Sequence, residues 1–524
     1  MSLRAPRTYA VGPHSGGETT VKTLTRMFTA ADPGRTRLRI SLRAVLGIGL
    51  AVTLCAATGL PLPASITGGL AALLALFTVA DPTVRGQAVT TALLPAVGLP
   101  VLALASALHG LPLLRDVAWL AVVLAGVYAR RWGPRGHALG IFAFMMFFTA
   151  QFLHAVPAAL PRLTAAVLLA LATTAVVRFG LWCVERRTPP PAAPAPPDGR
   201  GLARHTTRQA FQASAACAFA TAAGELLSQE RWYWAVGAAW WIFVNTASRG
   251  ETLVRGFRRV FGTVTGLVAG LLVAVPLHGA PAPTAALVAV CVFGIFYSAP
   301  LSYSWMMFFV TVMAGLLYGL LGVLHPGLLG LRLAETGVGA LGAALAVALV
   351  LPVTTHAVTD HWVRRALHAV HACTAAAFRR LAGDAGADPA PYAAELEAVL
   401  GRVRTALAPL VHPLSPLRAR RARARTILAL LDDCVRQTRG LADVAAHPDA
   451  SHDARLTAAC ARVERAVEAL VGAVPDRAAQ APVAAPGHHP AAEAALTHLH
   501  GLERALTALS APLTAPTALR RARA

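Results

Sequence analysis

The stretch 248–270, SRGETLVRGFRRVFGTVTGLVAG, gathers the residue types that recognise an anion. Arg249, Arg255, Arg258 and Arg259 stand with Glu251 at its start, and Gly262, Gly266 and Gly270 follow in an apolar run. Steps of three and four residues return to one face of a helix, so Arg255, Arg259, Gly262, Gly266 and Gly270 fall on a single stripe. Glycines at that spacing let two helices approach closely in lipid, and here the seam opens at a cationic mouth. Rings of arginine are one way a pore selects anions. The bland reading is that these arginines anchor a membrane flank, with Glu251 and Arg255 as a local i, i+4 pair.

A second candidate lies further on. Glu335 follows Arg332 by three residues inside an apolar run, where ionisable side chains are costly enough to suggest function. It suits a proton carrier or an outer gate; the alternative is a self-contained Arg332–Glu335 pair close to the outer surface. The aromatic run 232–241, with Trp232, Tyr233, Trp234, Trp240 and Trp241, can stack an aromatic acid that Asn245 hydrogen-bonds, or form an interfacial belt. His488, His489, His498 and His500 fit no standard zinc spacing. No GxxxxGK[ST], HExxH or GxSxG motif in its required setting is found, so the reading is a non-enzyme with no metal and no cofactor.

The elements that must position these residues are set by composition. Of 524 residues 56% are hydrophobic and only 14% charged, and the mean hydropathy is +0.56. Soluble domains carry about 25% charged residues, so most of this chain belongs in lipid. The formal charge of +22 is arginine, with Lys22 the only lysine; the arginines flank apolar runs and fill the tail, as the positive-inside rule has it, and nucleic acid is not an expected partner. Seven scattered cysteines read as small apolar residues.

Residues 1–43 read as a mobile basic cytoplasmic tail without a cleaved signal, with a basic interfacial helix near 36–43. Apolar runs then fall at about 44–61, 66–80, 88–108, 117–129, 138–154 and 163–183, near the length that a bilayer demands. Arg85, the group Arg130, Arg131 and Arg135, and then Arg186 and Arg187 mark alternate connections, placing the N-terminus in the cytoplasm. Residues 188–204 are a proline-rich linker. A second set of runs falls at about 209–227, 232–247, 260–277, 283–298, 304–324 and 333–352. Residues 354–524 turn to amphipathic helices with apolar Ile427, Leu428, Leu431, Val435 and Leu441, and read as a cytoplasmic bundle.

The two membrane portions, 44–187 and 205–353, look like copies. Val84-Arg85-Gly86 answers Val254-Arg255-Gly256, Asp81 falls opposite Glu251, Met145-Met146-Phe147-Phe148-Thr149 answers Met306-Met307-Phe308-Phe309-Val310-Thr311, and Arg162-Leu163 answers Arg332-Leu333. An even number of spans in each copy makes the repeat parallel, about an axis along the membrane normal. The expected fold is therefore all-α: about twelve transmembrane helices as two parallel six-helix repeats, plus a C-terminal helical bundle. Arg85 and Arg255, being duplicated, are expected to face each other across that axis, while Asp81 and Arg85 also fit a local i, i+4 pair.

Tyr233-Trp234-Ala235, Ser248-Arg249-Gly250-Glu251-Thr252-Leu253, Arg255-Gly256, Arg259, Gly262-Thr263, Ser302-Tyr303, Thr311, and Arg332 with Glu335-Thr336 resemble the core of fusaric acid resistance family proteins. The resemblance covers about 205–355, and the plan of six spans plus a helical tail is similar to the aluminium-activated malate transporters of plants. It implies export of aromatic or other organic acids across the inner membrane of a bacterium. On that reading Arg85, Arg249, Arg255, Arg259 and Asn245 bind or select the anion, and Arg332 and Glu335 couple or gate. Gly262, Gly266 and Gly270 pack helices; lipid and a small organic anion are the partners, with room for a homo-oligomeric or protein partner on the bundle. An anion channel gated by the bundle and a non-transporting scaffold are the alternatives.

Overall fold

A computed structural model describes residues 35–180, 201–246, 248–277, 280–324, 326–352, 355–382, 384, 386–411, 418–445, 454–471 and 490–514. Residues 1–34, Cys183, Arg186 and Arg187, most of the proline-rich linker, and His488 and His489 lie outside them. Among the described residues the regular structure is helical. The first six helices are α1 (Thr36–Ala57), α2 (Leu62–Thr78), α3 (Val84–Ala107), α4 (Pro112–Tyr128), α5 (Gly133–Phe152) and α6 (Leu160–Gly180). The second six are α7 (His205–Leu227), α8 (Tyr233–Phe243), α9 (Arg249–Leu277), α10 (Pro281–Ser298), α11 (Tyr303–Leu320) and α12 (Pro326–Leu349). Five more follow: α13 (Thr355–Leu381), α14 (Ala390–Val411), α15 (Arg418–Ala445), α16 (Ala454–Val471) and α17 (Pro490–Thr514).

Among the described residues eight helical stretches are long and apolar enough to cross a bilayer, one of them running from Pro112 through α4, a 3-10 turn and α5 to Phe152. The molecule is a multi-pass membrane protein. α2 is apolar but shorter, and α7 carries polar Arg208, Gln209, Gln212 and Glu225. α8 has 11 residues, a length of about 16 Å, so it does not by itself match a bilayer core of about 30 Å. Residues 36–43, expected as a separate interfacial helix, are instead the first two turns of α1, because the apolar pattern continues through them without a breaker.

Proline at the first position opens α4, α10 and α12, where its missing N–H is not needed. Buried side chains satisfy carbonyls left open at helix ends. Arg178 on α6 donates to the carbonyls of Val79 (3.0 Å) and Ala75 (2.8 Å) at the end of α2. Gln212 on α7 does the same for Val350 (2.9 Å) and Leu351 (3.1 Å) after α12.

In the first six helices α1 packs on α2 and α6, α2 on α6, α3 on α5 and α6, and α4 on α5. In the second six α7 packs on α8 and α12, α8 on α12, α9 on α11 and α12, and α10 on α11. Between the sets, α4 packs on α7 and α10 on α1. Contacts of α2 with α5 and of α8 with α9 break the parallel between the sets. The α4–α7 interface is tied at both ends: Arg115 pairs with Glu225 at 3.0 Å while stacking on Trp232 at 4.4 Å, and Arg130 meets Gln209 at 2.8 Å.

The glycine stripe of α9 lies against α11, the neighbour within its own set. A Cβ on Gly262 would stand 2.4 Å from the carbonyl oxygen of Ser304, and one on Gly266 2.8 Å from that of Phe308. Gly270 faces Val312 at 3.5 Å, and Gly319 has open space. Gly266→Ala is therefore expected to lower the melting temperature of the detergent-solubilised protein, with a loss of about 1–3 kcal/mol from overpacking. Gly319→Ala should leave the melting curve in place.

α13–α17 form a separate core around Val370, Val399, Val403, Cys434, Val467, Leu499 and Leu506. His498 shares a 2.9 Å hydrogen bond with Gln437, and His500 lies 2.9 Å from Arg462. Burial pushes the thiols of Cys373, Cys434 and Cys460 up to about 12, so they are protonated at neutral pH. Maleimide should leave these three unlabelled in the native protein and label them in denaturant, as read by peptide mass spectrometry. α9 packs against α14 and α13, so the helix with the arginine cluster meets this domain.

Candidate functional site

The site is built on α8, α9, α11 and α12, with one contribution from the first six helices. Ser248 caps α9, accepting the amide of Glu251 at 3.3 Å, and the helix then presents Arg255 and Arg259 one turn apart. Arg255 lies over the ring of Tyr303 at 3.9 Å. Arg259, 8% exposed, donates from Nη1 to the Tyr303 hydroxyl at 3.2 Å and reaches the Met307 sulfur at 3.1 Å. The Nε of each arginine is buried without a hydrogen-bond partner. Tyr303 is held in turn by the Trp241 carbonyl at 3.5 Å.

Arg130, in the 3-10 turn after α4, brings a third guanidinium from the other set of helices. Its Nη1 donates to Gln209 at 2.8 Å and to the Phe243 carbonyl at 3.1 Å, and its charge and that of Arg255 repel. His137 stands beside it, close to the side chain of Asn245. Asn245 occupies the left-handed region, φ 60°, in the turn from α8 to α9, which asparagine tolerates better than most residues. Glu251 is the carboxylate beside Arg255 among the described residues.

At the other end of α8 a second cluster forms. Arg332, 7% exposed, lies over the ring of Trp234 at 3.8 Å, with Tyr318 beside it. Its Nε and Nη1 are buried and unpartnered. Glu335, one turn on and 1% exposed, has both carboxylate oxygens buried without a partner. Arg231 caps the cluster over the Tyr318 ring at 5.6 Å. The charge of Arg259 also reaches Arg332, so Arg130, Arg255, Arg259, Arg332 and Arg231 make a succession of guanidiniums along α8. Arg259 and Arg332 are buried and the others partly exposed.

An aromatic column runs beside it on the face that α8 turns to α5. Phe144 stacks on Trp240 at 4.0 Å, Phe148 meets Trp234 at 5.0 Å and Tyr233 at 5.5 Å, and Trp119 meets Trp232 at 5.2 Å. The cavity at this seam, lined by Arg130, His137, Trp240 and Phe243 among others, has about 10 Å³, room for about one water.

The structure thus brings Arg255, Arg259, Arg332, Glu335 and Asn245 to one tract and leaves others out. Arg85 is exposed on the first turn of α3, and the charge beside Arg255 is that of Arg130. Asp81 precedes α3, so the i, i+4 geometry with Arg85 does not apply; it is buried and sits 3.9 Å from Arg135. Arg249 and Arg258 are exposed. Arg332 and Glu335 do not form a pair, because the guanidinium turns to Trp234. Trp232 and Tyr233 are no lipid-facing belt but 3% and 1% exposed, covered by Trp119 and Phe148. Sequence reasoning used Arg130 only to mark sidedness and gave His137, Gln209, Arg231 and Tyr318 no part.

The fold and these buried charges define a polytopic helical membrane protein with a cationic tract through its interior. Residues 217–347 match the family model described as fusaric acid resistance protein-like, a match that begins within α7 and ends within α12. No curated protein and no solved structure matches the chain.

Proposed function

We propose that the chain is a gradient-driven transporter that exports organic anions, aromatic carboxylic acids, across the inner membrane of a bacterium. The observation that carries this reading is the succession of guanidiniums Arg130, Arg255, Arg259 and Arg332 with Glu251 as the carboxylate beside Arg255. Uncompensated charge in a low-dielectric interior is costly, and an anion that enters the tract relieves it. Trp234, Trp241 and Tyr303 beside the same arginines offer faces for an aromatic ring.

In this reading the protein is a fused pair of parallel six-helix repeats, α1–α6 and α7–α12. The recurrence of the same helix pairings in the two sets supports it, as does the exchange relation between the α4–α7 and α10–α1 contacts. The arginine-rich connections put both termini and α13–α17 in the cytoplasm. The anion enters at Arg130, Arg255 and Asn245 and leaves past Arg332 and Arg231.

Purified protein titrated with benzoate and followed by tryptophan fluorescence tests the reading. Wild type should bind saturably, and Arg255→Ala and Arg259→Gln should bind more weakly; failure of wild type to bind benzoate or any other organic acid refutes it. The closed seam between α5 and α8 favours a second reading, a membrane scaffold that moves nothing. Saturable binding counts against that reading.

A further inference from the structure

We infer that the cluster at Arg332 and Glu335 takes up an organic carboxylate and a proton together, the carboxylate on Arg332 and the proton on Glu335. The inference rests on the anion-transport reading and names the ion bound together with the anion and the site that binds both. Arg332 lies over the ring of Trp234 with Nε and Nη1 buried and unpartnered, and both Glu335 oxygens are buried and unpartnered one turn away. These are two strong hydrogen-bonding groups of opposite character, a donor fork and an acceptor pair, neither using the other.

The charge balance of a site shielded from water decides what can occupy it. With the cluster empty of anion, an ionised Glu335 is the carboxylate that the guanidiniums of Arg332 and Arg231 face. A carboxylate arriving on Arg332 adds one negative charge beside Glu335, and two carboxylates in one buried site do not both stay ionised. Protonating Glu335 removes the repulsion between the two carboxylates and turns it from an acceptor into a donor toward the incoming carboxylate. The proton comes from water and forms an O–H bond on a Glu335 oxygen, and no other bond changes. When the anion leaves, Glu335 releases the proton.

Glu335 is the carboxylate of this cluster among the described residues, and the groups that face it are guanidiniums and phenols. The guanidiniums are Arg332 on its own helix, Arg231 before α8 and Arg259 acting from α9 through Arg332. Tyr233 on α8 and Tyr318 on α11 are phenols, protonated below about pH 10 in their ordinary state. His137 lies at the other end of α8, and histidine in its ordinary state titrates below about pH 7. A single carboxylate with phenols and guanidiniums around it offers no oxygen cage for a metal cation.

The experiment is benzoate binding to purified full-length protein in lipid nanodiscs, measured by calorimetry between about pH 7.5 and about pH 9.5 in buffers of different ionisation heat. Wild type should take up as much as about one proton per benzoate, with affinity falling by up to about tenfold per pH unit on the alkaline side. Glu335→Gln, the neutral isostere, should bind benzoate with no proton uptake and no pH dependence over that range, and its elution and melting profile checks that it is folded. Binding by wild type without proton uptake, or with uptake that persists in Glu335→Gln, overturns the inference and leaves the anion site standing. No benzoate binding by wild type overturns both.

Discussion

Arg259→Gln is expected to lower organic-anion transport by roughly 30- to 1000-fold while the protein still assembles. The guanidinium is 8% exposed, holds only the Tyr303 hydroxyl and the Met307 sulfur, and has no carboxylate within ion-pair distance among the described residues. Its charge is thus available to a passing anion, and losing a charge-assisted contact of this kind costs about 2–4 kcal/mol, which sets the range quoted. Glutamine retains a donor for Tyr303, so the α9–α11 contact survives. Labelled benzoate flux, compared at equal amounts of reconstituted protein, reads the effect. A variant that transports as well as wild type removes Arg259 from the path.

The second large effect is expected at Arg130. Its Nη1 serves both Gln209 and the Phe243 carbonyl; the carbonyl keeps Gln209 Nε2 and Thr246 as donors, so Arg130→Leu leaves the Gln209 oxygen without its donor and removes the charge next to Arg255. An unsatisfied buried acceptor costs about 1–3 kcal/mol. Thermal melting should shift down and benzoate flux should fall to the level of empty vesicles. Arg85→Ala is the contrasting control: the side chain is exposed on α3, and flux and melting should match wild type. The opposite ranking, a silent Arg130→Leu with an inactive Arg85→Ala, would put the anion mouth at the duplicated pair instead.

That contrast marks where sequence reading stops. The helices α1–α17 could be located from apolar runs because lipid and a bundle core both impose a periodic pattern along the chain. The Gly262, Gly266 and Gly270 stripe was legible for the same reason, being local to one helix. Arg130 was not, since its role comes from a 3-10 turn of one set of helices meeting α7 and α8 of the other, and no spacing records that. Asp81 was misassigned because α3 starts at Val84, three residues later than an i, i+4 pair requires. Arg332 and Glu335 were found by their cost in an apolar run. Their separation was hidden, because it depends on Trp234, almost a hundred residues away, offering a better face.

The position of α14 against α9 gives the helical domain a physical hold on the helix that carries Arg255 and Arg259.

The measurement that tests the central claim most directly is flux in proteoliposomes. Vesicles containing the full chain and labelled benzoate are placed under an imposed pH gradient and membrane potential, and release is followed against empty vesicles. The account predicts gradient-dependent release by wild type that is lost in Arg259→Gln. Release no faster than from empty vesicles, for benzoate and for every other organic acid tried under either gradient, would contradict it.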